Sequence, residues 1–120
     1  MTCTFAWLTV GHLVGDWVLQ NDWMAKGKKN GLLCPAGLAH FTLYAATIMV
    51  TFWLSGVRDR QPVFYLALGA IVLVSHALID ATRLVEHWMR FYQQSDLEVV
   101  RLMVDQTLHL LVLAALAALV

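Results

Sequence analysis

The stretch PVFYLALGAIVLVSHALIDAT, residues 62–82, decides the architecture. It contains no Lys, Arg or Glu, and its length meets the ~20 apolar residues that a bilayer-spanning helix needs. Pro62 suits the first turn of such a helix, where its missing N–H costs nothing. Near the far end stand His76 and Asp80, four residues apart. Ionisable groups inside a membrane are costly and point to function.

The rest of the chain reads the same way. Hydrophobic residues make up 60% of the 120 residues and charged residues 13%. A soluble domain carries about 25% charged residues, and a chain this short could not bury so much apolar surface. The expectation is an all-α protein: a single integral membrane domain over residues 1–120, built as a four-transmembrane-helix bundle. The spans run over about 4–20, 35–54, 62–82 and 99–120, the first at the short end of the usual range. Pro35 again suits a helix start. Between the third and fourth spans, Arg83 to Leu97 reads as a short interfacial amphipathic segment. Leu84, Trp88, Phe91 and Tyr92 recur there at helical spacing, with Trp88 and Tyr92 at headgroup level.

Lys26, Lys28, Lys29, Arg83, Arg90 and Arg101 flank one end of the spans, against Arg58 and Arg60 at the other. The positive-inside rule places the first group in the cytoplasm and both termini outward. The location expected is a bacterial inner membrane, or a host membrane receiving a phage-encoded protein. Lys26, Lys28 and Lys29 are read as attracting anionic membrane lipid. The formal net charge is zero, which leaves no footprint for nucleic acid. No C-x-x-C motif is present, and the topology places Cys3 and Cys34 near opposite membrane faces, so neither a thiolate zinc site nor a disulfide is expected. The N-terminus has no basic n-region, and no signal peptide is expected.

The pattern of residues 76 and 80 recurs. His12-x3-Asp16 and Asp105-x3-His109 repeat it in the first and fourth spans, and His40 lies in the second. Ends of odd spans and starts of even spans share one membrane face. All of these residues therefore fall in one layer, roughly 5–15 Å below the cytoplasmic surface at 1.5 Å rise per residue. Residues four apart lie one above the other on a helix, so each pair can face the bundle axis. Helical bundles build metal sites in this manner. His12, Asp16, His40, His76, Asp80, Asp105 and His109 suit one or two divalent ions, with zinc, manganese and iron all compatible.

Asp105 is the candidate general base. Arg83 follows Asp80 by three residues and suits a phosphate or carboxylate. Gln106 and Gln20 are further candidates for lining a substrate site, whereas Glu86 and His87 are placed in the open. A metal-dependent hydrolase of a lipid-linked or amphipathic substrate fits a layer at the headgroup–acyl boundary. A metal-ion or proton transporter or channel uses the same residues, and a homo-oligomer could provide its path. A non-catalytic binding subunit, or hydrogen-bonded pairs that merely join helices, are the other readings.

Several of these residues carry a resemblance. The run from His12 through Gly15, Asp16 and Trp17 to Gln20 resembles the opening motif of the domain-of-unknown-function 3307 family of small bacterial and phage membrane proteins. The resemblance continues through Trp23 and the following lysines to His40, then through Ser75 to Asp80 and Asp105 to His109. Arg83 stands where that family leads one to expect a lysine, so the positive charge is kept. A weaker similarity, to inner-membrane metal-dependent hydrolases, implies metal-assisted hydrolysis by analogy.

Overall fold

A computed structural model describes the chain from residue 2 to residue 120. Its elements are all helical: α1 (Thr2–Leu13), a π-helical turn (Val14–Val18), α2 (Asp22–Gly27) with a 3-10 turn (Lys28–Asn30), α3 (Pro35–Leu54), α4 (Pro62–Ala81), α5 (Leu84–Phe91) and α6 (Glu98–Ala118). No strand occurs among the described residues. Pro35 and Pro62 both stand in the first turn of their helices. Cys34 caps α3: its Sγ accepts from the Gly37 N–H at 3.2 Å and donates to the Gly27 carbonyl at 2.9 Å. Cys3 and Cys34 are free thiols.

Three helices, α3, α4 and α6, are long and apolar enough to cross a membrane. The first segment differs from the expected uninterrupted helix. Its α-helical part has 12 residues, and the backbone then widens into a five-residue π turn. Single π turns within helices are frequent at functional sites. Here the turn carries Asp16, and Gly15 lets it press against α3: a Cβ on Gly15 would stand 3.3 Å from the Tyr44 Cα.

The helices α1, α3, α4 and α6 share one apolar core, which includes Leu8, Ile48, Phe52, Val72, Leu113 and Leu116. It fills the half of the bundle away from the His and Asp residues. Outward-facing apolar side chains are extensive, with Val63 70%, Leu66 73% and Leu111 61% exposed. Helix α5 is amphipathic. Val85 and Met89 are buried against Val100 and Val104 of α6. Leu84, Trp88, Phe91 and Tyr92 face outward.

The crossing of α1 and α3 depends on Gly11. A Cβ there would collide with the Thr51 Oγ1 and lie 3.2 Å from the Thr51 Cβ. Gly11→Ala is expected to destabilise the fold by about 1–3 kcal/mol through overpacking, read as a lower unfolding midpoint in detergent. Thr51→Ala added to it restores only part of the loss, because the Cβ remains.

Candidate metal centre

The polar layer expected from spacing exists, and it is almost wholly inside the protein. His12, Asp16, His40, His76 and His109 are between 0 and 4% exposed. The Asp80 side chain is 2% exposed and that of Asp105 24%. Four segments contribute: the end of the first helical segment, the second turn of α3, the end of α4 and the third and fourth turns of α6.

Asp16, His40, His76 and Asp80 offer ligand atoms within 4.8 Å of one another. Donors around a tetrahedral ion at about 2.0–2.1 Å stand roughly 3.3 Å apart. His40 Nε2 is 2.9 Å from His76 Nε2, 3.1 Å from Asp80 Oδ2 and 3.2 Å from Asp16 Oδ1. His76 Nε2 is 3.5 Å from Asp80 Oδ2 and 3.9 Å from Asp16 Oδ1. Five of the six edges of a tetrahedron are thus scattered about the required length. Asp16 Oδ1 is buried and makes no hydrogen bond among the described residues. A buried carboxylate oxygen facing two imidazoles in this way is suited to a cation.

A second group, Asp16, Asp105 and His109, also has ligand atoms within 4.8 Å of one another. Asp16 belongs to both. His109 connects them further, with Nε2 at 2.8 Å from His76 Nδ1 and 3.4 Å from Asp80 Oδ1. His76 therefore has a partner on its second ring nitrogen, the support that metal-bound imidazoles usually receive. His40 Nδ1 has none among the described residues.

His12 lies outside both groups. Gln106 Nε2 donates to Asp105 Oδ2 at 2.9 Å and to Asp16 Oδ2 at 3.3 Å. Two carboxylates fix that end of the amide as the NH2. The amide oxygen then faces His12 Nε2 at 2.8 Å, so this nitrogen donates. In the neutral ring, Nδ1 accepts from the Tyr44 hydroxyl at 3.1 Å. Both ring nitrogens of His12 are thus occupied by hydrogen bonds in this arrangement. The expected i, i+4 stacking holds for His76 with Asp80, at 3.5 Å, and for His109 with Asp105, at 3.7 Å. His12 and Asp16 make no such pair, because the π turn begins between them.

Two residues of the site escaped the sequence reading. Lys28 corrects an expectation: it does not reach for lipid. Its side chain is 12% exposed and its Nζ donates to Asp80 Oδ2. It also lies 3.6 Å from Asp16 Oδ1 and 3.5 Å from His40 Nε2. The 3-10 turn after α2, docked on α3 through Gly27, aims it inward. Lys26 and Lys29 are exposed. The second is Tyr44, whose ring stacks on that of His76 with centroids 3.6 Å apart.

A cleft of about 410 Å³ opens beside the layer. Gln20, Lys29, Arg83, Glu86 and Arg101 wall it, and Lys28, Asp80 and Asp105 belong to its lining as well. Arg83 and Gln20 line the cleft, while Gln106 is bonded to His12, Asp16 and Asp105 inside the layer. Glu86 is not in the open: it accepts from Arg101 at 2.8 Å. Arg83 is exposed and makes no ion pair among the described residues, whereas Arg101 is held by Glu86 and Asp96.

No curated protein and no solved structure matches the chain. The motifs that carry the resemblance, His12 to Gln20, Ser75 to Asp80 and Asp105 to His109, all lie in or around this layer. The model of the protein family of unknown function DUF3307 matches residues 4–120, and the chain belongs to that family.

Proposed function

We propose that this protein is a membrane-embedded metal-dependent hydrolase acting on a lipid-linked or amphipathic substrate at the cytoplasmic leaflet. The observation that carries the reading is the tetrahedral convergence of Asp16, His40, His76 and Asp80 beside an open cleft. A divalent ion such as zinc, manganese or iron, held there, supplies polarisation of a phosphoryl or carbonyl oxygen and activation of a water. Asp105, the most exposed of the three aspartates and part of the cleft lining, is placed to take the proton. Arg83, with no competing ion pair, is placed to receive an anionic group. Asp16, Asp105 and His109 would hold a second ion.

In this reading α1 and its π turn form a fourth, short span. The end of the bundle bearing Lys26, Lys29, Arg83, Arg90 and Arg101 faces the cytoplasm and its anionic lipid. The contacts His40–His76 and His76–His109, at 2.9 and 2.8 Å, would also suit a proton relay in a transporter. That relay stops at the apolar core formed by Leu8, Ile48, Phe52 and Val72, so it offers no route through one chain.

Elemental analysis of protein purified without chelator tests the metal. At least one equivalent of a divalent ion per chain is expected, lost in His76→Ala. Reconstituted protein should then release a soluble headgroup or acyl product from a bacterial lipid extract, and Asp105→Asn should slow that release while keeping the equivalent held by Asp16, His40, His76 and Asp80. Native protein without stoichiometric metal removes the reading. Metal or proton flux into vesicles, with no lipid turnover, replaces the hydrolase with the transporter.

A further inference from the structure

We propose that Lys28 is a tethered cation that exchanges with the metal: an ion entering the four-residue group drives the Lys28 ammonium out into the cleft. The inference rests on the metal reading above and adds a moving part to it. Lys28 caps the face formed by Asp80, Asp16 and His40, three of the four residues of that group. Its ammonium donates to Asp80 Oδ2, the same oxygen that lies 3.1 Å from His40 Nε2 and 3.5 Å from His76 Nε2. A divalent ion centred among those donors would stand within roughly 3–4 Å of the ammonium. Like charges that close, away from water, repel strongly.

The surroundings allow the exchange. Lys28 lines the cleft, so its four-carbon stem has open space into which it can turn. Its backbone lies in a 3-10 turn between the short α2 and Gly31, whose φ of 125° only glycine adopts readily. Gly27, by contrast, packs so tightly on α3 that a Cβ would collide with that of Ala36. The turn is anchored at Gly27, and the movement falls to the side chain. Once displaced, Lys28 joins Lys29 and Arg83 around the cleft, where Arg101 is already paired with Glu86 and Asp96, so a further cation faces an anionic substrate only when the metal is in place. Exchange also sets the affinity: an ion must displace the ammonium, and apparent binding weakens by the fraction of molecules with Lys28 turned out.

Amine labelling with an acetylating reagent, read by mass spectrometry on the native protein in nanodiscs, follows the side chain directly. Lys26, with a side chain 82% exposed, serves as the internal standard. Without added ion, Lys28 should label far more slowly than Lys26. Saturating Zn2+ or Mn2+ should raise its labelling several-fold and leave Lys26 unchanged. Lys28→Met should bind Zn2+ roughly tenfold or more tightly than the native chain in chelator competition, and Lys28→Arg should not. If the native chain binds the ion and Lys28 stays protected, the exchange is wrong and the metal site stands. If neither the native chain nor Lys28→Met binds Zn2+ or Mn2+, the metal site is wrong and the exchange falls with it. Should Lys28→Met fail to fold, labelling of the native chain decides alone.

Discussion

Asp80→Asn is expected to abolish stoichiometric metal binding and to lower the unfolding midpoint of the protein sharply. Asp80 is the carboxylate shared by three of the four buried histidines and by Lys28. Its two oxygens reach His40 at 3.1 Å, His76 at 3.5 Å and His109 at 3.4 Å, and accept from Lys28. Asparagine keeps the shape and one carbonyl oxygen but loses the charge. The Lys28 ammonium is then left buried with Asp16 at 3.6 Å as its remaining carboxylate. Removing one partner of a buried ion pair costs about 3–5 kcal/mol, because the other charge stays behind. The double variant Asp80→Asn/Lys28→Met removes both charges and should recover much of that stability while still binding no metal. Thermal unfolding and elemental analysis on the same detergent-solubilised samples separate the two effects. A full complement of metal in Asp80→Asn would exclude the four-residue group as the binding site.

The double variant also bears on what could be read from the chain. The depth argument needs only helix rise and span boundaries, and it places the seven polar side chains in one layer. Contacts between segments distant in sequence then follow without further information, as between His40 and Asp80. Charge balance was legible only in part. Three carboxylates in one apolar layer call for a cation, which a metal supplies, but the spacing left Lys28 among the lysines read as facing lipid. What spacing could not show is that the turn after α2 folds back over the layer, since that depends on Gly27 packing against Ala36. Tyr44 follows His40 by four residues, the spacing of the His and Asp pairs, and was hidden only by being neither His nor Asp. The π turn is a different matter. Gly15 is its one mark in the run from Val14 to Val18, and the close approach to α3 that this glycine allows is a contact between distant segments. The turn moves Asp16 away from His12 and toward His40, so the pair that looked most like the others is the one that comes apart.

That separation gives Gln106 its importance, and Gln106→Leu should weaken metal binding roughly 10–100-fold, the usual cost of losing a residue that orients a ligand. Gln106 Nε2 holds one oxygen of Asp16 at 3.3 Å and one of Asp105 at 2.9 Å. Held by Oδ2, Asp16 presents Oδ1 to His40 and His76. Leucine has a similar volume and no polar atom, so it fills the space and releases both carboxylates. The His12 Nε2 donor loses its acceptor at the same time. Each polar group left buried and unpaired costs about 1–3 kcal/mol, so a lower unfolding midpoint accompanies the loss of affinity. Gln106→Glu offers the opposite perturbation. It keeps an acceptor for His12 but sets a third carboxylate against Asp16 and Asp105, a repulsion that only a cation among them can relieve. Stability of Gln106→Glu should therefore depend on added Zn2+ or Mn2+ far more steeply than that of the native chain, as expected when a ligand binds the folded state alone. Equal stabilisation of the two by the ion would mean that Asp16 and Asp105 lie outside the metal's reach.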